Sequence, residues 1–427
     1  MRRDRVPNLT RIAVAVVAVV LVSGSARATV HTLDECVGIA LANNTTLARS
    51  EASLAGAKAD AMSSWSGVLP RASAGLSHSD RTTVAGGGET TTSGISGSVS
   101  VSQTLFDGSA FASISRAGHS RASAEASLDA TRREVVLGVR RAYYGLLKSV
   151  QLRDVQLEAL ELAKEQLRKT ESLFDLGSAS RSDLLKAQVQ VAQEELSLIS
   201  AEKTAATARA ALCYAIGIDV TTEIEAVDPS VAESPPPSEF DLDEAVSRRP
   251  DVRAQEEAVT AAHRSLLAAK AGRWPDLSLS LQYARSEDSF DAFFDGLSDD
   301  YSRTVSLSLS LPIFDGLATT AGIARATASL RSSELALQDT RQSAAYEIET
   351  ARLSLAEQLS RVAAAETALA RAEEDLRISE ERFRLRSASM LELIDARVAY
   401  SRARANVVQA RYDHETAAAE LVTALGL

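Results

Sequence analysis

The chain has 427 residues, with 57 acidic against 46 basic side chains, a formal net charge of −11 and only 4% aromatic residues. An acidic surface of this kind excludes nucleic acid as a partner. The five histidines (His31, His78, His119, His263, His414) lack metal-ligand spacing, and no nucleophile elbow, dinucleotide fingerprint or HExxH occurs, which argues against an enzyme, a cofactor or a bound metal.

Residues 1–28 read as a secretory signal. Arg2, Arg3, Arg5 and Arg11 precede an apolar run from Ile12 to Val22, and Ala26-Arg27-Ala28 is an A-x-A cleavage site. The run is shorter than the ~17–25 residues a spanning helix needs. The segment carries five Arg and one Asp, so its removal takes the formal charge from −11 to −15. The two cysteines, Cys36 and Cys213, can oxidise in an exported protein or stay as buried thiols.

A helix is expected over residues 33–65. Arg71 to His78 and Ser98 to Ser102 then alternate small or apolar with polar residues, predicting strands of a hairpin over residues 71–105 around a solvent-facing loop from His78 to Gly97. From Gly108 to Phe174 there is no proline, and Val135, Val139, Tyr143, Leu146 and Val150 follow a helical stripe. A helix of about 65 residues is roughly 100 Å long. A tip over residues 174–187 leads into a returning helix over residues 182–217. Residues 218–240 carry Pro229 and Pro235-Pro236-Pro237 and read as a linker that is not a regular helix.

Beyond the linker the plan repeats. A helix over residues 242–271 precedes a hairpin over residues 277–311, where Leu277-Ser-Leu-Ser-Leu281 and Val305-Ser-Leu-Ser-Leu-Ser-Leu311 alternate strictly. Its acidic loop runs from Ala284 to Arg303. A second proline-free long helix from about Leu317 to Leu385, a tip over residues 383–396 and a helix over residues 391–425 complete the chain. The register of the repeat is 209 residues. Leu33-Asp34-Glu35 returns as Leu242-Asp243-Glu244, Trp65 as Trp274, Phe174 as Phe383 and Ser178-Ala179-Ser180 as Ser387-Ala388-Ser389. Phe106-Asp107-Gly108 returns 208 residues later as Phe314-Asp315-Gly316. The domains are therefore two repeats, 29–217 and 241–427, around the linker.

Strands with Leu or Val on one face and Ser on the other fit a transmembrane barrel, lipid outside and water inside. Trp65, Trp274, Phe106 and Phe314 flank the strands, as interfacial aromatics would or as helix-end packing would. Four strands cannot close a barrel, and open edges in lipid are not tolerated, so the strands require an oligomer. An elongated coiled-coil adhesin or structural protein of the cell envelope would explain the helices but leaves the strands and paired tips without a role.

Signal, two helical repeats, a hairpin in each and a proline-bearing join resemble the TolC-type outer-membrane efflux channel family. The most specific resemblance lies at the tips. There an aromatic is followed by a glycine, a small or polar run, and an acidic residue with an apolar pair before alanine. The first copy is Phe174-Asp-Leu-Gly177-Ser178-Ala179-Ser180-Arg-Ser182-Asp183-Leu184-Leu185-Lys-Ala187. The second is Phe383-Arg384-Leu-Arg386-Ser387-Ala388-Ser389-Met-Leu-Glu392-Leu393-Ile394-Asp395-Ala396.

The resemblance implies a mainly α protein with a transmembrane β portion. Its homotrimer would build a twelve-stranded β-barrel in outer-membrane lipid of a Gram-negative bacterium and a long α-helical barrel across the periplasm. It implies a passive exit duct for tripartite efflux or type I secretion, fed by a periplasmic adaptor and an inner-membrane transporter. Adaptor docking would fall on Phe174, Gly177, Ser178, Ala179, Ser180, Leu184 and Leu185, and on Ser387, Ala388, Ser389, Leu393 and Ile394. Glu392 and Asp395 match the acidic positions lining the family's tip constriction. Ser182 and Asp183 match polar residues that hold the closed state, whose tyrosine and arginine partners are replaced here by Phe383 and Ala388. A latch in this chain would have to differ, or use Arg384 or Arg386, and Arg386 also replaces the usual tip glycine.

Overall fold

The computed structural model describes residues 29–227, 240–294, 300–385 and 387–427. The expected signal over residues 1–28, the linker prolines, the loop residues Asp295 and Asp299, and Arg386 lie outside the described residues. The first repeat comprises β1 (Thr29–His31), α1 (Leu33–Asn43), α2 (Thr45–Ser64), a 3-10 turn (Trp65–Gly67), β2 (Arg71–Ala85), β3 (Gly88–Phe106), α3 (Gly108–Asp175) and α4 (Arg181–Ile216). After β4 (Ile224–Ala226), the second comprises α5 (Leu242–Arg248), α6 (Pro250–Ala271), β5 (Asp276–Glu287), α7 (Phe290–Phe294), β6 (Tyr301–Ser310), α8 (Ala318–Arg384) and α9 (Met390–Ala424).

The long helices α3 and α8 have 68 and 67 residues, about 100 Å each. Each follows a strand. Asp107 caps α3, accepting the Ser109 N–H at 2.8 Å, whereas α8 opens after Leu317, at φ +72°, with no side-chain cap, and Asp315 just ahead of it accepts the Thr319 N–H at 2.7 Å, so both copies of Phe-Asp-Gly lie between a strand and a long helix. Because β3 feeds α3 and β6 feeds α8, the sheet sits at one end of the long helices and the tips at the other.

The two helices expected to be continuous ahead of the hairpins are each broken. Asn44 is extended, ends α1, and caps α2 through the Thr46 and Leu47 N–H groups. Arg249 is extended because Pro250 follows it, and that proline then opens α6 at a position where no N–H is required. The loop expected from His78 to Gly97 is strand instead. β2 and β3 pair without interruption from Arg71↔Ser102 to Ala85↔Gly88. Gly86 and Gly87, at φ +59 and +84°, make the two-residue turn. Hydroxyl pairs across the ribbon, Ser77 with Ser96 at 2.8 Å and Thr82 with Thr91 at 3.1 Å, supply the cross-strand contacts that the composition hid.

The linker contains an element the sequence did not announce. β4 pairs in parallel with β1, and the buried Tyr143 hydroxyl of α3 bonds the carbonyls of His31 and Val227 at 3.0 and 2.6 Å, pinning both strands. Around it lies the larger core cluster, including Leu33, Cys36, Val139, Leu146, Leu212 and Ile216. A smaller cluster built on Val246, Val252, Ile348 and Leu421 is the second repeat's counterpart.

Candidate functional site

The two tips are built by the same local chemistry. In the first, Gly177 takes φ +71°, which favours glycine, and closes α3: its N–H donates to the Phe174 carbonyl at 2.8 Å, and the Ser178 N–H to the Leu173 carbonyl at 2.7 Å. Ser180 then caps α4. Its Oγ accepts the Asp183 N–H at 3.1 Å, while the Asp183 carboxylate accepts from the Ser180 N–H and Oγ. In the second tip, the Ser387 N–H donates to the Arg382 carbonyl at 2.8 Å, 209 residues on from the Ser178 bond. Ser389 caps α9, and Glu392 closes the reciprocal capping box. Asp183 and Glu392 thus hold equivalent backbone positions.

Their surroundings differ. Glu392 lies 3.6 Å from the Arg382 guanidinium, which also donates to the Ser387 carbonyl at 3.3 Å. The position 209 residues before Arg382 is Leu173, so the first tip has no such clasp. Asp395 lies on the exposed side of α9, opposite the buried Leu393 and Ala396, and has no hydrogen-bond or ion-pair partner among the described residues. Arg384 pairs with Glu381 at 2.7 Å. Phe383 is half-buried and Ser182 exposed. Among the described residues no hydrogen bond or ion pair joins Ser182 or Asp183 to Phe383 or Arg384. Of the apolar tip residues, Leu393 and Met390 are buried, Leu184 and Ile394 half-buried and Leu185 exposed.

Behind the second tip α9 is fastened on two sides. A groove on α3 between α4 and α9 is lined by Leu162, Gln166, Ala187, Met390, Leu393 and Arg397. Gln166 donates to the Met390 sulfur at 3.6 Å. Arg397 donates to the Leu162 carbonyl of α3 and to Glu380 of α8 at 2.9 Å. Further along, Glu158 pairs with Arg404, Lys148 with Asp413 at 2.9 Å and Arg141 with Glu420 at 2.8 Å, an antiparallel ladder between α3 and α9. On α8 the positions Ile348, Ala351, Leu355, Gln358, Val362, Ala365, Leu369, Ala372, Leu376, Ser379 and Phe383 alternate steps of three and four and are all at least half-buried. That period of 3.5 is a coiled-coil seam. Sequence reasoning missed Arg382, Met390, Gln166 and Arg397. For the first two the signal was available, as mismatches with Leu173 and Arg181 in the repeat.

At the other end the four strands form one antiparallel sheet, ordered β2-β3-β5-β6. Its register sorts the side chains by face. Ala74, Val99, Tyr283 and Arg303 align, as do Ala72, Val101, Leu281 and Val305, with Leu279 beside Leu307 and Leu277 beside Leu309. On the opposite face Ser73, Ser100, Gln282 and Thr304 align, then Ser102, Ser280 and Ser306, then Ser278 and Ser308. One face is apolar apart from Gln103 beside Leu279 and Arg303 at its outer limit, and the other is hydroxyl-rich across all four strands. Tyr283 and Tyr301 stack at 5.1 Å at the outer limit of the apolar face. Trp65, Trp274, Phe106 and Phe314, at the helical limit, are 41–80% exposed. No helix among the described residues is long and apolar enough to cross a membrane.

This architecture recurs in known proteins. The Campylobacter jejuni CmeC outer membrane channel superposes with a TM-score of 0.85 at 19% identity, over 92% of this chain and 85% of that one. Outer membrane protein TolC of Vibrio cholerae is 22% identical over 78% of this chain and 76% of its own length. Protein CyaE of Bordetella pertussis is 27% identical over 57% of this chain, an alignment that spans about half (52%) of that protein. A sequence profile of one family matches residues 36–218 and 242–427, the two repeats on either side of the linker, and the chain belongs to that family, the outer membrane efflux proteins.

Proposed function

We propose that three copies of this chain close into a twelve-stranded barrel continuous with a helical tunnel, and that the assembly is the passive exit duct of a tripartite efflux or type I secretion system. The observation that carries this is the two-faced sheet with two open edges, β2 and β6. Lipid does not tolerate unpaired backbone, so β6 of one copy must pair with β2 of the next, and three copies give an even strand number within the range of such barrels. Over its whole length, Asp276 to Glu287, β5 advances about 36 Å, or about 28 Å across the membrane at a tilt of about 40°, enough to span the apolar band of such barrels. The hydroxyl face then lines the lumen.

The helices repeat the argument. Leu185, Val189, Leu196 and Ile199 form a heptad stripe along α4 and are 52–69% exposed in the single chain. A neighbouring copy would cover it. In the trimer Glu392 and Asp395 supply rings of three carboxylates at the tip constriction, which favour cations. The tip residues from Phe174 to Leu185 and from Ser387 to Ile394 receive a periplasmic adaptor, and an inner-membrane transporter supplies the energy. Reconstitution of purified protein in planar bilayers tests the duct: trimers by mass should show discrete conductance steps. Folded trimers without conductance would overturn the proposal.

A further inference from the structure

The fold brings together the chain's only two cysteines, which lie 177 residues apart. Cys36 comes from α1 and Cys213 from the end of α4, and both are wholly buried in one core cluster with Leu33, Ala40, Leu212 and Ile216. The C-terminal ends of the two helices are clasped just beyond Cys213, about two turns along α1 from Cys36. Asn44 donates through Nδ2 to the Ala215 carbonyl at 3.0 Å, and the chain at Gly217 passes so near α1 that a Cβ would lie 2.8 Å from the Asn43 carbonyl oxygen. Both cysteines are thiols in this structure. Cys213 Sγ lies 3.6 Å from the Thr222 carbonyl, while the Cys36 thiol has no hydrogen bond among the described residues. We infer that Cys36 and Cys213 are joined by a disulfide in the exported protein.

The inference rests on the outer-membrane location, which requires the chain to cross an oxidising compartment. The oxidant is a periplasmic protein carrying an exchangeable disulfide. One cysteine thiolate attacks it, forming a mixed disulfide and releasing one oxidant thiolate. The second cysteine, as thiolate, attacks the sulfur of the first, the Cys36–Cys213 bond forms, and the oxidant leaves as a dithiol carrying the two electrons. The order of events follows from burial. Burial, then Glu35, then the nearby Cys213 push the Cys36 thiol up to about 11, and burial also raises Cys213. Once α1 has docked, neither thiol ionises readily or meets an oxidant, so exchange must precede docking. The bond would close a loop holding the first hairpin, α3 and the first tip. The second repeat has Ala245 and Val422 at the matching positions and no such tie.

The test uses full-length protein extracted from outer membranes, denatured in the presence of an alkylating reagent and weighed. No adduct before reduction, two adducts after it, and one cross-linked peptide containing Cys36 and Cys213 are expected. Two adducts without reductant, or blocking of either cysteine by another molecule, would overturn the inference. Absence of the protein from the outer-membrane fraction would instead count against the export reading. A Cys36→Ser variant should show Cys213 as one alkylatable thiol without reductant, and a Cys213 that stays blocked there would also overturn the pairing.

Discussion

Asp183 and Glu392 hold the same backbone place in their tips, and the company each keeps separates them. Glu392 is shared between the Ser389 cap and Arg382, whereas Asp395, one turn on, faces solvent alone. Asp395 should therefore contribute more to cation attraction in a tip ring. Exposed, screened unit charges contribute about 0.5 kcal/mol each, so a ring of three adds up to about 1.4 kcal/mol, roughly tenfold. Asp395→Asn is expected to weaken block by multivalent cations about tenfold, and Glu392→Gln by clearly less, both read from single-channel currents. The acidic positions were legible in the sequence, and so was the capping role, because Ser180-x-x-Asp183 and Ser389-x-x-Glu392 are both capping-box spacings. The Arg382 clasp was legible only as a repeat mismatch, since nothing local in sequence places a guanidinium five residues from the serine carbonyl it meets.

Among the elements, the break between α5 and α6 shows how a local rule becomes a tertiary tie. Pro250 forces Arg249 out of the helix, and the freed side chain reaches both Asp251 and Glu347 of α8 at 2.7 Å. Burial alone would raise the Asp251 pKa, but the Arg249 hydrogen bond and charge and the Val252 N–H outweigh it and hold it below the usual carboxylate range. A carboxylate depressed in the folded state adds stability above its unfolded pKa and loses it as pH falls through the folded value. Arg249→Met should cost about 1–2 kcal/mol at neutral pH, discounted for the 37% exposure of Asp251. The gap between variant and parent in urea melts should narrow below about pH 4, as Asp251 becomes protonated in the parent. A gap that stays constant down to pH 2 would contradict this.

For the whole molecule, the features left open on one chain lie along its two flanks: the edges of β2 and β6 and the stripe on α4. Within the chain α9 is zipped to α3 and α8 by ion pairs, whereas the stripe on α4 is apolar and exposed. Leu196→Asp would bury a charge against the neighbouring copy and is expected to convert trimers to monomers in detergent, measured by light scattering, with helical content retained in the monomer. Trimers of unchanged mass would show that the stripe is not an interface.

The sequence by itself determined the two-fold plan, the long helices and the Leu/Ser strands, because periodicity follows from backbone geometry alone. It could not reveal that residues 78–97 continue as paired strand, since Gly, Ser and Thr have weak local preference and the pairing is set by register with the partner strand. Nor could it show that Cys36 meets Cys213, that Tyr143 pins β1 and β4, or that Arg397 joins three helices. Those contacts link residues separated by 17 to 235 positions, and only the packing of α1, α3, α4, α8 and α9 around common cores brings them within reach.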